Sequence, residues 1–303
     1  MNDSPVVHIE QLSRRFGNTN AIDDVSLSVR PGYVYGLVGA NGAGKTTLIK
    51  HLLGLLRAQQ GTVKVFGLDP AQNPVEVLQR IGYLSENRDL ADWMQVDELL
   101  RYTSAFHPQW EQAYASELVK RFEIDVSKKV KDLSKGMRAQ VGLIAAVAHR
   151  PDLLLLDEPS TGLDAVVRRD ILNELIRTVA DEGRTAIFSS HLLDEVELMS
   201  DYVFMIDKGK LVLEGELDDI KAEHQLLTVQ FAADRSEPPT ISGLLSAQQH
   251  GNTWHLVCNG AADQVHQSLQ AVGGEVTKSR NAALNEIFVA RVGRDRLQTT
   301  EAQ

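Results

Sequence analysis

Gly39-Ala40-Asn41-Gly42-Ala43-Gly44-Lys45-Thr46 sets glycines, a lysine and a hydroxyl at the spacing G-x-x-x-x-G-K-T. Glycines in such a loop let the backbone wrap closely, so that several N–H groups point at phosphate oxygens. A helix starting at the end of the loop adds its positive N-terminus. Lys45 would then bridge terminal phosphates, and the Thr46 hydroxyl would ligate Mg²⁺. A second constellation, Asp157-Glu158, follows the aliphatic run Leu153–Leu156. In open parallel sheets, ligands bind at that carboxyl end of a strand. One carboxylate there can hold Mg²⁺, and the other can orient and deprotonate an attacking water. Taken singly, these patterns also suit a glycine turn capping a core helix and a solvated acidic turn. Together they predict a site for a nucleoside triphosphate and Mg²⁺.

The elements around them have the order that this chemistry needs. Tyr33–Val38 reads as a buried strand entering the glycine loop, after the turn at Pro31-Gly32. Thr46–Leu56 carries apolar residues at 48, 49, 52, 53, 55 and 56, a helical pattern with a wide apolar face. Val6–Gln11 and Val25–Val29 alternate apolar and polar residues, as half-buried strands do. From about 92 to 150 the pattern is mostly helical. Leu153–Leu156, preceded by Pro151, suits a parallel strand covered on both sides. Val166–Ala180 is helical, Thr185–Ser190 a strand and Leu192–Met199 a helix. Residues 1–222 therefore read as one α/β domain with a helical insertion at about 92–150. Residues 223–303 read as a small α+β domain, with strands at Leu226–Phe231, Trp254–Cys258 and Glu275–Ser279 and helices at Ala262–Val272 and Leu284–Val292.

Composition bounds the partners. The chain has 303 residues, 43% hydrophobic and 24% charged, which are ordinary globular proportions. No apolar run approaches the ~18–20 residues that span a bilayer. The start, Met1-Asn2-Asp3-Ser4-Pro5, lacks the basic and apolar regions of a signal peptide. The formal net charge of −10 argues against nucleic acid as the main partner. In the tail, basic and acidic residues nearly balance, so the acidity belongs to the first domain. The single cysteine, Cys258, allows no internal disulfide and fits a reducing cytoplasm. No zinc-type spacing is present, and Cys258 carries no assigned chemistry.

Over residues 5–220 the chain resembles the ATP-binding subunit of an ABC transporter, with every motif in order. Leu133-Ser134-Lys135-Gly136-Met137 resembles the family signature and Leu153–Pro159 its second nucleotide motif. Ser160-Thr161-Gly162-Leu163-Asp164 resembles the loop that couples two active sites, and Ser190-His191 the switch histidine. The resemblance implies a phosphate-loop NTPase (RecA-like) core with an antiparallel β subdomain and helical insertion. It implies ATP and Mg²⁺ as ligands, with ATP held by Phe16, Gly39, Asn41, Gly42, Ala43, Gly44, Lys45, Thr46 and Thr47. Phe16 would stack on adenine. Two chains would clamp two ATP molecules head to tail. Ser134 and Gly136 would contact the partner's γ-phosphate, and Asp164 would reach across the dimer. Glu158 would act as general base, and His191 would hold the γ-phosphate and attacking water in line. Thr46, Glu86 and Asp157 would serve Mg²⁺.

Two departures from the family pattern stand out. Glu86 replaces the usual glutamine; ionised glutamate only accepts hydrogen bonds, yet remains a suitable ligand for a hard cation. Lys135 and Met137 replace the signature's usual glycine and glutamine, while Ser134 and Gly136 are kept. These features and the α/β tail, ending in Leu284-Asn285-Glu286-Ile287-Phe288, resemble bacterial type-2 exporters of drugs, antibiotics, lipids and polysaccharides. In that class the integral membrane permease is a separate polypeptide. The resemblance places the chain on the cytoplasmic face of the cell membrane. The complete motif set suits a homodimer, and the surface around Arg88–Met94 is the expected socket for a permease helix. The competing class is a soluble ABC ATPase acting on nucleic acid or ribosomes. Its ribosomal kind carries two cassettes, and its chromosomal kind a long coiled coil. Here one cassette is present, and only Thr47–Asp132 separates loop from signature, without sustained heptads. A phosphate-loop kinase or GTPase would need neither Ser134 nor His191. The tail reads either as a packing wing for the dimer or as a regulatory domain.

Overall fold

Three short strands, Val34–Val38, Leu153–Asp157 and Thr185–Ser190, are buried at every position. Strands buried on both faces are the interior of a parallel sheet. The structure, a computed structural model, describes residues 4–180, 183–232 and 235–293, leaving aside the side chains of 178–180. It divides into two units, 1–213 and 214–303. The expected boundary at 222/223 falls inside the second of these.

The first unit runs β1 (Val7–Phe16), β2 (Thr19–Val29), β3 (Val34–Val38), α1 (Lys45–Leu52), β4 (Gln60–Val65), α2 (Pro74–Leu78) and β5 (Ile81–Leu84). It continues with α3 (Val96–Ser104), α4 (Gln112–Arg121), α5 (Lys135–Val147), β6 (Leu153–Asp157), α6 (Ala165–Ala180), β7 (Thr185–Ser190), α7 (Leu193–Met199), β8 (Tyr202–Asp207) and β9 (Lys210–Glu216), the last of which crosses the division between the units. One sheet has the order β5-β6-β7-β3-β8-β9; the other is β2-β1-β4, antiparallel. This is the expected α/β architecture, with an antiparallel β subdomain and a helical insertion formed by α3, α4 and α5.

Register explains where the chemistry gathers. Parallel pairing sets Val38 beside Ser190, Asp157 beside Ser189 and Leu84 beside Leu156. The carboxyl ends of β3, β5, β6 and β7 therefore share one edge. The glycine loop, Glu86, Glu158 and His191 all leave the sheet there. The core beneath is aliphatic, with Leu37, Ile49, Leu153, Leu155 and Ile187 buried together. The expected helix Thr46–Leu56 stops at Leu52, because Gly54 turns left-handed at φ 70°. Leu55, apolar and in helical register, is consequently 63% exposed.

The helical insertion is fastened to the sheet by polar contacts. Arg121 and Tyr114 of α4 both donate to the buried Glu174 of α6. His149, after α5, donates Nε2 to the Ile81 carbonyl at 3.1 Å and stacks on His107 with ring centroids 3.7 Å apart. Burial, with the neighbouring His107 charge, pushes the His149 imidazole down from 6.5 to about 4. Between those values the unfolded chain binds the extra proton, so stability is full above pH 6.5 and falls as pH drops toward 4. The loss is at most about 3 kcal/mol. Urea unfolding from pH 7 to 4.5 should show this slope, and His149→Gln should flatten it.

The second unit holds α8 (Leu217–Glu223), β10 (His224–Phe231), β11 (Leu244–His250), β12 (Thr253–Asn259), α9 (Ala262–Ala271), β13 (Gly274–Asn281) and α10 (Leu284–Val292). Its antiparallel sheet has the order β11-β12-β10-β13, around a core of Leu227, Val229, Trp254, Leu256, Val265 and Leu269. Cys258 is fully buried in that core, and burial pushes its thiol up to about 11. At that value it is neither thiolate nor nucleophile near neutral pH.

Candidate functional site

The loop between β3 and α1 owes its shape to a glycine where no other residue fits. Gly44 has φ 116°, and a Cβ there would lie 2.4 Å from the Ala21 carbonyl. With the chain so folded, α1 begins at Lys45, and its first N–H groups open toward the loop. The loop lines a cavity of about 330 Å³ together with Thr19, Glu86, Glu158, Thr161 and His191. Asn41, Gly42, Ala43, Gly44, Lys45, Thr46 and Thr47 all face it. Its electrostatic make-up is backbone donors and one ammonium on one side, carboxylates on the other.

Lys45 is only 6% exposed. Its Nζ donates to the Gly39 carbonyl at 2.6 Å and stands 3.1 Å from Glu158 Oε1. Glu158 is 5% exposed and has φ 50°, a left-handed conformation that costs a non-glycine residue strain. Its backbone N–H, donating to Ser189 Oγ at 3.0 Å, holds it there. Its Oε2 accepts from Thr161 Oγ1 at 2.8 Å and from His191 Nδ1 at 2.6 Å. Burial alone would raise the Glu158 carboxyl; the Thr161 hydrogen bond, the Lys45 charge and the His191 hydrogen bond outweigh it. The carboxyl is held below the ordinary carboxylate range, ionised and able to take a proton from water.

Asp157 sits just beneath, 1% exposed, its Oδ1 accepting from Ser189 Oγ at 2.7 Å. Thr46, Asp157 and Glu86 present oxygen donors of the kind that Mg²⁺ prefers. Among the described residues no three His, Cys, Asp or Glu side chains gather as a metal site. The three side chains named are a hydroxyl and two carboxylates, an all-oxygen set that suits a hard cation.

Phe16 stands outside the cavity lining, 46% exposed at the end of β1, with the Arg14 guanidinium 4.8 Å above its ring. Ser134, Gly136 and Asp164 also lie outside it. Ser134 caps α5, its Oγ accepting from Met137 N at 3.1 Å, which leaves the hydroxyl proton free to donate. Asp164 caps α6, accepting from the N–H groups of Val166 and Val167, both at 3.0 Å. Lys135 reaches the neighbouring loop: a Cβ on Gly162 would lie 2.1 Å from its Nζ. Glycine at 162 is favoured by its left-handed φ of 71° rather than by that contact, since the end of a lysine side chain can move aside.

One expectation changes. Arg88 is 3% exposed, and its φ of 53° turns it inward, where Nη2 donates to the Thr161 carbonyl at 3.0 Å and the Pro159 carbonyl at 3.3 Å. Arg88 itself thus belongs to the support of the Glu158 loop, while Asp89, Asp92 and Trp93 of the expected socket 88–94 are exposed. Thr161, Ser189 and Thr19 are site residues that the spacing did not single out. Thr161 lies inside the loop motif 160–164 without a role assigned to it there, and Ser189 only precedes the motif Ser190-His191.

The ABC transporter family profile matches residues 22–161. The ABC transporter ATP-binding protein NatA of Bacillus subtilis is 37% identical over 225 residues, covering 71% of this chain and 91% of NatA. The daunorubicin/doxorubicin resistance ATP-binding protein DrrA of Streptomyces peucetius is 30% identical over 314 residues, 97% of this chain and 94% of DrrA. Among solved structures, an ATP-binding subunit of an ABC transporter superposes with a TM-score of 0.65 at 28% identity, over 71% of this chain and 92% of that one.

Proposed function

Because this chain belongs to the family of ABC transporter ATP-binding proteins, we propose that it powers an exporter as a head-to-tail homodimer bound to a separate membrane permease. As an ABC ATPase it binds and hydrolyses ATP. The observation that carries the mechanism is the contact of Glu158 with Lys45, Thr161 and His191 at the edge where the phosphate loop opens. The loop N–H groups and Lys45 hold the β- and γ-phosphates. Mg²⁺, held by Thr46, Asp157 and Glu86, would neutralise phosphate charge. Glu158 takes a proton as water oxygen attacks the γ-phosphorus; the bond to the bridging oxygen breaks, leaving ADP and phosphate. His191, its Nδ1–H committed to Glu158, presents Nε2 as an acceptor toward the attacking water, and only its imidazolium form would donate Nε2–H to the γ-phosphate. Ser134, the Gly136 N–H and Asp164 complete the partner chain's site, and Phe16 stacks on adenine.

Glu86 takes over the role of the usual glutamine. Glu86→Ala should raise the Mg²⁺ concentration for half-maximal turnover several-fold, and a Mg²⁺ titration of ATPase activity checks this. An unchanged Mg²⁺ dependence would remove Glu86 from the site.

Export is supported by the nearly full-length similarity to a drug-resistance ATP-binding protein. No described helix is long and apolar enough to cross a membrane, and the pathway in this reading belongs to the permease. We place its docking helix in the apolar groove of about 440 Å³ lined by Val75, Leu78, Tyr83, Phe106, His107 and His149. Val75 is 67% and Phe106 57% exposed there. Tyr83 is on β5, three residues before Glu86, so an occupant of the groove moves the segment that brings Glu86 to the phosphates.

Fractionation of tagged Glu158→Gln protein from its native cell tests the transporter role. Recovery with membranes and a stoichiometric multi-span protein is expected, and Phe106→Asp should release that protein while sparing ATPase activity of the isolated chain. A pool bound to ribosomes, nucleic acid or nothing would remove the transport claim and leave the ATPase.

A further inference from the structure

Ser160 and Glu195 are far apart in sequence, yet the fully buried Ser160 hydroxyl donates to Glu195 Oε2 at 2.5 Å. A hydrogen bond of that length to a carboxylate is charge-assisted and strong. Glu195, in the first turn of α7, is itself 7% exposed. Its Oε1 lies 3.5 Å from Arg168 Nε, and Arg168 Nη2 donates to the Leu163 carbonyl at 3.4 Å. Ser190 Oγ stands 3.5 Å from Oε2, one residue before His191. A single buried carboxylate therefore grips the loop 160–164 at its start and, through Arg168, near its end. The same carboxylate faces the strand end that carries His191.

The far side of that loop meets the catalytic pair directly, since Thr161 and His191 both donate to Glu158. Glu158, Thr161, Ser160, Glu195, Ser190 and His191 close a ring of covalent and polar links. Burying a carboxylate is costly unless it is paired, and an apolar side chain would fill the same space without that cost. The charge is spent where the loop that faces a second chain meets the histidine that faces the nucleotide.

We propose that Glu195 is a positioning residue that couples the two active sites. It fixes the loop 160–164 to His191, so that a partner engaged by Asp164 sets the geometry of Glu158 and His191. The proposal rests on the head-to-tail dimer. Neither Glu195 nor Ser160 lines the phosphate cavity, so their substitution should separate turnover from binding.

The test compares Glu195→Ala, Glu195→Gln and Ser160→Ala in the full chain. Affinity for a fluorescent ATP analogue should stay within about twofold of wild type, while turnover at saturating ATP falls about tenfold in Glu195→Ala and Ser160→Ala. The double variant should lose no more than either single one, because the two side chains form one contact. Glu195→Gln, whose carbonyl still accepts from Ser160, should recover part of the rate. In a Glu158→Gln background, Glu195→Ala should raise the chain concentration needed for ATP-driven dimerisation about tenfold. Wild-type turnover in Glu195→Ala, additive losses, or affinity falling in step with turnover would overturn the role. If Glu158→Gln does not dimerise with ATP, the head-to-tail dimer falls and this coupling with it. If it dimerises and Glu195→Ala changes nothing, only the role of Glu195 falls.

Discussion

Glu158→Gln should bind ATP with nearly unchanged affinity and turn it over about a thousandfold more slowly, the scale of a lost general base. The amide keeps the size of the side chain and can still accept from Thr161 and His191. It cannot take a proton from water. Binding survives because the loop N–H groups and Lys45 are untouched, and affinity should even rise slightly, since one negative charge leaves the vicinity of the phosphates. Single-turnover hydrolysis beside equilibrium nucleotide binding separates the two quantities. Turnover at the wild-type rate would show that another group accepts the proton.

The second large effect belongs to Lys45→Ala. Its ammonium is buried, 3.1 Å from Glu158 Oε1, and is the one side-chain cation lining the phosphate cavity among the described residues. Removing one partner of a buried charge pair costs about 2–5 kcal/mol, which on that scale is roughly a 30-fold to 4,000-fold loss of affinity for ATP. The same change strips Glu158 of a charge that holds its carboxyl low, so the carboxyl moves up. Lys45→Ala should therefore lose affinity and rate together, whereas Glu158→Gln loses rate alone. Calorimetric titration with ATP beside steady-state hydrolysis reads this contrast. ATP binding within a fewfold of wild type in Lys45→Ala would mean that the backbone donors hold the phosphates without it.

The phosphate loop was legible because its chemistry uses the backbone, and backbone shape there requires glycine at set places: Gly44, at φ 116° against the Ala21 carbonyl, admits nothing else. Asp157-Glu158 was legible because an aliphatic strand announces its own end. The buried polar contacts were not. Ser160 meets Glu195 and Arg88 meets Thr161 only after folding, and no local pattern marks such pairs. Arg88 in particular lies in a polar stretch that suggests surface, and a left-handed φ of 53° sends it inward. Among the elements, β11 is an edge strand whose last three residues are exposed, so it lacks the alternation that revealed its neighbours. Apolar spacing alone overextends the helix after the phosphate loop, because Leu53, Leu55 and Leu56 continue it past Gly54.

In the proposed head-to-tail dimer, ATP joins two chains through the phosphate loop of one and the signature of the other. Light scattering of purified Glu158→Gln protein tests it most directly. With ATP and Mg²⁺ the mass should double from the 33.5 kDa of one chain. ADP should leave it unchanged, and adding Ser134→Arg, which blocks the signature face of α5, should abolish the doubling. A chain that stays at 33.5 kDa in saturating ATP, or that doubles regardless of Ser134, would contradict the composite site.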